Sequence, residues 1–190
     1  MEKFRSFTAM LPRHFSLTGG WVVLLLVSAG AWQCKDRHPQ TRKGQLIYTN
    51  RAEQPITVTL PDSSMVVLHP RTTLEISPSF DVTEREVKLD GEAAFTVSHD
   101  GGSPFIVHTR NLHIHVLGTR FRVDAYASNA GEEVDLLAGK LKVIKSYHSS
   151  TDNAEEILDA GDMVMINRDI DLMEKEKMNP TELQAAEKKF

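Results

Sequence analysis

Residues 46–170 are written in short runs of alternating apolar and polar positions, the two-residue period of half-buried β-strands. Ile56, Val58 and Leu60 share one face ahead of the turn signal Pro61-Asp62-Ser63, and Val66 and Leu68 resume after it. Val87 and Leu89 lead into Asp90-Gly91, a dipeptide suited to a two-residue hairpin turn because both central residues take positive φ. Ala93, Phe95 and Val97 then alternate with Ala94, Thr96 and Ser98, and Asp100-Gly101-Gly102 separates them from Phe105-Ile106-Val107. No window in this stretch sustains a helical period of 3.6. The pattern predicts one all-β domain.

A faint repeat runs through it. KLDGEAAFTV at Gly91, HVLGTRFRVDAY at Gly118, LLAGKLKVIK at Gly139 and ILDAGDMVMI at Gly161 each place an apolar residue just before a glycine and alternating apolar residues after it. The glycines are 27, 21 and 22 residues apart. Such strand–turn–strand units cannot bury both faces alone, so stacking them as a β-roll or sandwich is one reading. An all-β domain that simply repeats hairpins is the other. Both give the same fold class.

The two ends differ from this body. Residues 1–14 form a short tail carrying Lys3, Arg5 and Arg13, and residues 15–34 hold no charge, a length that spans a bilayer as one membrane-targeting helix. Ala29-Gly30-Ala31 fits a signal-peptidase site, so a retained transmembrane anchor and a signal peptide cleaved after Ala31 are both open. The basic residues after the segment (Lys35, Arg37, Arg42, Lys43) rival those before it and leave its orientation unassigned. Residues 35–45 read as a polar linker. Residues 171–190 read as a charged tail with a short helix, for which Asn179-Pro180-Thr181-Glu182 supplies a cap, a proline at the first position and an acid three residues on.

A net charge of −4 with scattered basic residues argues against nucleic acid as a partner. Cys34 is the only cysteine, which excludes an intramolecular disulfide and a cysteine zinc site. His113 and His115 form an H-x-H near His108, but Ile114 and Val116 are the better core positions, which turns the histidines to solvent. Gly118-Thr119-Arg120 stands where a cupin-type metal site would need a glutamate. Glu132-Glu133 and Glu155-Glu156 are the obvious carboxylate pairs, yet strand neighbours point to opposite faces, so they read as solvated loop charges. With no nucleophile elbow, phosphate loop or dinucleotide fingerprint, the expectation is a protein that is not an enzyme and carries no cofactor or metal.

The string REVKLDGEAAFTVSHDGGSPFIVHTRNLHIHVLGTRFRVDAY resembles the signature of the FecR domain. Arg85, Val87, Leu89, Gly91, Glu92 and Ala93 match its R-x-V-x-L-x-G-E-A segment, and Phe95 and Val97 its F-x-V. Pro104, Phe105, Val107 and Thr109 match P-F-x-V-x-T. Val116, Leu117, Gly118, Thr119, Phe121 and Val123 match V-L-G-T-x-F-x-V. LPDSSMVVL resembles the family's L-x-D-G-S-x-V-x-L entry with Ser63 in place of glycine, and Gly139 and Gly161 fall in its closing repeats. The resemblance covers about residues 55–167 and reads as a folding signature, with Gly91 and Gly118 at tight turns and Phe95, Phe105 and Phe121 facing inward.

The resemblance implies a periplasmic module of a transmembrane regulator, placed at the inner membrane or, after cleavage, free in the periplasm. It also implies protein partners in the envelope, a TonB-dependent receptor or a full-length regulator, in sigma-factor signalling linked to uptake of iron or glycan. Only about twenty residues precede the apolar segment, so the expectation is a module without its own anti-sigma domain. An exported β-module that binds a ligand or polysaccharide, with no regulatory role, is the alternative.

Overall fold

The computed structural model describes residues 45–80 and 85–190, all within one compact unit, Pro39–Phe190. The alternating runs become strands β1 (Leu46–Asn50), β2 (Ile56–Thr59), β3 (Met65–Leu68), β4 (Thr72–Ile76), β5 (Arg85–Thr96), β6 (Phe105–His108) and β7 (Leu112–Val116). They continue as β8 (Arg120–Ala125), β9 (Gly131–Ala138), β10 (Lys140–Lys145), β11 (Glu156–Asp159), β12 (Asp162–Asn167) and β13 (Leu172–Lys177), followed by helix α1 (Pro180–Glu187). Among the described residues no helix is long and apolar enough to cross a membrane. The apolar segment 15–34 lies outside the described residues.

The strands make two sheets that share β5. The first has the order β1-β4-β5-β6-β7-β10-β11, and the second β2-β3-β5-β8-β9-β12-β13. All pairings are antiparallel except β5 with β6. Inward residues of both sheets, among them Leu74, Leu89, Val107 and Ile114 from the first and Leu68, Val123, Leu136 and Val164 from the second, form one continuous core. Each such side chain contributes about 1.5–3 kcal/mol when fully buried. Phe95 stacks on Phe121 at 5.0 Å within the second sheet and meets Phe105 of the first edge-on at 6.2 Å, which ties the two layers together.

Asp90-Gly91 does not close a hairpin. β5 continues through it without turning back, pairing with β4 as far as Asp90 and with β8 from Gly91 onward. Gly91 does take a positive φ of 117°, but it uses that freedom to kink an extended strand from one sheet into the other. Its backbone lies so close to β4 that a Cβ would sit 2.5 Å from Thr72 Oγ1. Pairing on both sides of the kink holds the chain extended where an isolated dipeptide would turn.

The other three glycines of the repeat occupy the same kind of place. Gly118 lies between β7 of the first sheet and β8 of the second, Gly139 between β9 of the second and β10 of the first, and Gly161 between β11 and β12. The repeat therefore records where the chain changes sheets. From β6 on, hairpins β6–β7, β8–β9, β10–β11 and β12–β13 are laid alternately on the two layers.

The sheet extends past residue 170. β13 reads LMEKEK and pairs with β12 along its whole length, yet as an edge strand it packs only Met173 against the core, so no apolar alternation announces it. The turn at Pro61-Asp62-Ser63 is a true hairpin turn, with Ser63 at φ 67°. α1 starts where the sequence places it: Asn179 accepts from the Thr181 and Glu182 backbone N–H groups, and Glu182 accepts from the Asn179 N–H in return.

Candidate functional site

The FecR-like residues separate into a buried set and a surface set. Gly91, Glu92, Phe95, Phe105 and Phe121 are buried, the three phenylalanines in the core. Pro104, Leu117 and Gly118 instead come together with the buried Thr119 and with His99, His115, Leu141 and Ile157 around an open apolar groove of about 400 Å³ on the first sheet. Leu117 and Ile157 are 47% and 58% exposed there, large for aliphatic side chains. Gly139 packs directly against Gly118 and Thr119 of its lining, where a Cβ would stand 3.0 Å from the Gly118 carbonyl oxygen, while Gly161 is not part of the lining.

The floor of the groove follows from strand register. His115, Lys142 and Ile157 are direct cross-strand neighbours on β7, β10 and β11, so their side chains line one row of one face. The wall is the segment 97–104. Its Val97 and Asp100 N–H groups donate to the Thr119 and Leu117 carbonyls at 3.0 and 2.9 Å, which lays it across Gly118. A Cβ on Gly118 would stand 2.6 Å from His99 Nδ1 and 2.7 Å from His99 Cα, so the close approach requires glycine. Gly118 serves a crossing of chains rather than the tight turn its sequence suggests.

Beneath the wall lies a residue whose role the sequence does not disclose. Arg85 is buried, and its guanidinium donates to Asp62 Oδ2 (3.0 Å), the Ser98 carbonyl (2.9 Å) and the Ser103 carbonyl (3.1 and 2.7 Å), with the Leu117 carbonyl at 3.5 Å. Asp62 also accepts from Ser64 Oγ at 2.7 Å, and Ser64 Oγ in turn accepts from the Ser98 N–H at 3.0 Å. One fork of charge thus gathers the β2–β3 turn, both ends of the wall and the backbone of Leu117. A lysine could not make this planar set of bonds. The invariably paired geometry of a buried arginine is the signal that the R in R-x-V-x-L carries, but its partners come from three separate loops and no spacing rule reveals them.

The outer face of the second sheet carries a different cluster. Arg122 on β8 donates to Glu92 Oε1, Glu133 Oε1 and Asp135 Oδ2, each at 2.7 Å, and to Asp124 Oδ2 at 3.2 Å. Lys189, just past α1, adds its ammonium to Glu92 at 3.0 Å. Burial pushes the Glu92 carboxyl up, but the bonds from Arg122 and Lys189 outweigh it and hold the group below its ordinary value. Burial raises Asp135 and Asp124 despite Arg122. α1 lies against this face with Ala186 buried, and Phe190 stacks on the Arg120 guanidinium at 4.0 Å.

Two expectations about chemistry meet the structure differently. His113 and His115 point outward but are only half exposed, and His113 Nδ1 lies 2.7 Å from His108 Nδ1, whose Nε2 is 3.6 Å from Glu86. Burial, then the neighbouring His108, holds His113 below its ordinary value, so it is neutral at pH 7. Among the described residues no group of three or more His, Cys, Asp or Glu side chains is placed to hold a metal. Glu132 and Glu133 are not loop charges: both lie on β9, Glu133 outward with Arg122 and Glu132 inward and buried. Glu132 accepts from Thr109 Oγ1 and the Asn111 N–H, closing one end of the core.

Residues 46–142 match the family described as FecR protein. Two crystal structures of a protein from Parabacteroides distasonis ATCC 8503, at 2.50 and 1.65 Å resolution and each described as a proposed anti-sigma factor, resemble this chain with a TM-score of 0.66 and 28% identity. The likeness covers 74% of this chain and 63% of theirs, so the chain spans less than two thirds of the length of those structures. No curated protein matches it.

Proposed function

From the premise that the chain belongs to the FecR protein family, we propose that it is a signalling-regulator module that works in the cell envelope by binding another protein and performs no catalysis. The observation that carries this reading is the groove. Three family-signature residues outside the core, Pro104, Leu117 and Gly118, line an exposed apolar surface together with the buried Thr119. A groove whose exposed surface is mostly apolar, rimmed by the polar side chains of His99, His115, Lys140 and Lys142, suits a protein segment. The proposed partner is a TonB-dependent receptor or a full-length regulator, and the signal belongs to sigma-factor control of nutrient uptake. The apolar segment 15–34 supports an inner-membrane anchor with the module in the periplasm, or release to the periplasm after cleavage behind Ala31.

A photoreactive residue in place of Leu117, expressed in cells, tests the reading. Capture of a receptor or regulator, identified by mass, and its absence when the probe replaces the exposed Ile170 in the β12–β13 turn, is the expected result. Specific glycan binding with no protein captured at Leu117 replaces it with the ligand-binding alternative. A reporter active only outside the cytoplasm, fused after Gln45, checks the location, and the mass of the mature chain separates anchor from cleaved signal.

A further inference from the structure

When two neutral imidazoles share a hydrogen bond, one N–H donates to a lone pair on the other ring, and a divalent cation with a taste for nitrogen can take that proton's place. His108 and His113 are arranged in this way. They are direct cross-strand neighbours on β6 and β7, with their Nδ1 atoms 2.7 Å apart and their ring planes at 79°. The turn that joins the two strands closes beside them. Its Thr109 N–H donates to the Leu112 carbonyl and its Leu112 N–H to Thr109 Oγ1, both at 2.9 Å, and its Asn111 N–H donates to the buried Glu132. Behind the His108 ring, Glu86 Oε1 lies 3.6 Å from Nε2. An anion on that side favours the tautomer with its proton on Nε2, which leaves Nδ1 its lone pair, and ligating histidines commonly have such a carboxylate behind them. Both rings stand on the outer face of the first sheet and are half-buried, so solvent reaches them.

We propose that His108 and His113 form an exchangeable binding site for a divalent cation of the zinc, nickel or copper class, held through both Nδ1 atoms. Metal–nitrogen bonds of about 2.0–2.1 Å at a tetrahedral angle put the two nitrogens roughly 3.3 Å apart, so the rings part by only about 0.6 Å. On binding, the donating Nδ1 gives its proton to solvent and the same ring takes one back at Nε2, so both imidazoles stay neutral. Burial and the neighbouring His108 hold His113 below its ordinary value, so at pH 7 no added proton competes with the ion there. Imidazole nitrogen selects this class over magnesium and calcium, which take oxygen. The cross-strand neighbours on either side are Lys88 and Ile144, neither a ligand at neutral pH. Among the described residues no third His, Cys, Asp or Glu side chain joins the pair, so water fills the remaining positions. Such an ion exchanges with its surroundings, unlike the four-ligand zinc that holds a fold together. His115, two residues along β7 on the same face, lines the groove, so an ion at His113 adds positive charge near that floor.

The test is equilibrium dialysis of the full chain against zinc chloride at neutral pH, followed by metal analysis. The parent should bind one zinc per chain more than the double variant His108→Gln, His113→Gln, which also subtracts any zinc held at Cys34 or at other histidines. His108→Gln or His113→Gln alone should weaken that site at least tenfold, and His115→Gln less than threefold. Glu86→Gln keeps the side chain's shape without its charge and should weaken the site severalfold. Imidazole nitrogen resonances of the parent give a second reading that needs no variant and so decides the matter even where a substitution disturbs the fold. Zinc should shift Nδ1 of both His108 and His113 and leave each ring protonated at Nε2. Equal zinc on the parent and the double variant, or nitrogen shifts confined to other histidines, overturns the proposal.

Discussion

Arg85 Nη1 lies 3.0 Å from Asp62 Oδ2, with the two side chains 1% and 6% exposed. The pair joins the start of β5 to the β2–β3 turn, and the same guanidinium holds the wall and floor of the apolar groove through the Ser98, Ser103 and Leu117 carbonyls. Stability and the shape of the proposed binding surface therefore hang on one side chain.

Replacing Arg85 takes the guanidinium away from three carbonyls and from the buried Asp62 carboxylate, which keeps only its bonds from Ser64. Arg85→Met should destabilise the protein by about 3–5 kcal/mol, the usual cost of breaking a buried charge pair. Arg85→Lys should recover only part of it, since an ammonium cannot reach all the acceptors in one plane. Urea unfolding measures both. If Arg85→Met unfolds at the parent's midpoint, the fork is not what holds these loops.

Ser63 occupies a left-handed position, φ 67°, where the family pattern has glycine, and its side chain makes no hydrogen bond among the described residues. A non-glycine residue there costs roughly 1–2 kcal/mol, while glycine gives back about 0.5–1 kcal/mol as extra freedom of the unfolded chain. Ser63→Gly should therefore stabilise the protein by about 0.5–1 kcal/mol. Loss of stability in thermal unfolding would show that the serine is favoured for a reason the turn geometry does not contain.

The all-β class was legible because alternation over four to six residues is a local signal, and Ile56 to Leu68 or Ala93 to Val97 display it without help from tertiary structure. Sheet membership was not legible. Asp90-Gly91 carries the chemistry of a tight turn, and only the pairing of β5 with β4 on one side and β8 on the other decides that the strand continues. β13 stayed hidden for the opposite reason, as an edge strand exposed on most of its surface has no apolar face to reveal. Of the candidate site, Pro104 and Leu117 were visible as matches to a signature. Their meeting with Ile157, forty residues beyond Leu117 and outside the family match, depends on β10 bridging β7 and β11.

Two glycines of the repeat separate strain from crowding. Gly91 and Gly161 both have positive φ, at 117° and 88°, but a Cβ on Gly91 meets Thr72 at 2.5 Å, and one on Gly161 meets nothing within 4 Å. Gly161→Ala should cost about 1–2 kcal/mol, the conformational penalty alone. Gly91→Ala should cost clearly more, about 3 kcal/mol or above, because β4 must also move. Equal costs in chemical denaturation would mean that the strands part easily and that the kink is soft.

Glu92 and Glu132 should respond to pH in opposite directions. Although burial opposes it, bonding to Arg122 and Lys189 holds Glu92 below its ordinary 4.5, so the folded state binds fewer protons there than the unfolded chain. Its contribution to stability is present above 4.5 and is lost as pH falls through the folded value. Glu132 is raised above 4.5, chiefly by burial and in spite of the bonds from Thr109 and Asn111. Its contribution is present below 4.5 and is lost as pH rises through the folded value. The stability of Glu92→Gln relative to the parent should thus be lowest near pH 7 and should recover as pH falls below about 4. Relative to the parent, Glu132→Gln should gain as pH rises from about 4 to 7, since glutamine keeps an acceptor for Thr109 and brings no charge to bury. Urea titrations of the three proteins across this range give the two difference curves. Parallel curves, or curves of reversed slope, would show that Arg122 does not dominate the Glu92 carboxylate and that Glu132 is charged in its pocket at no cost.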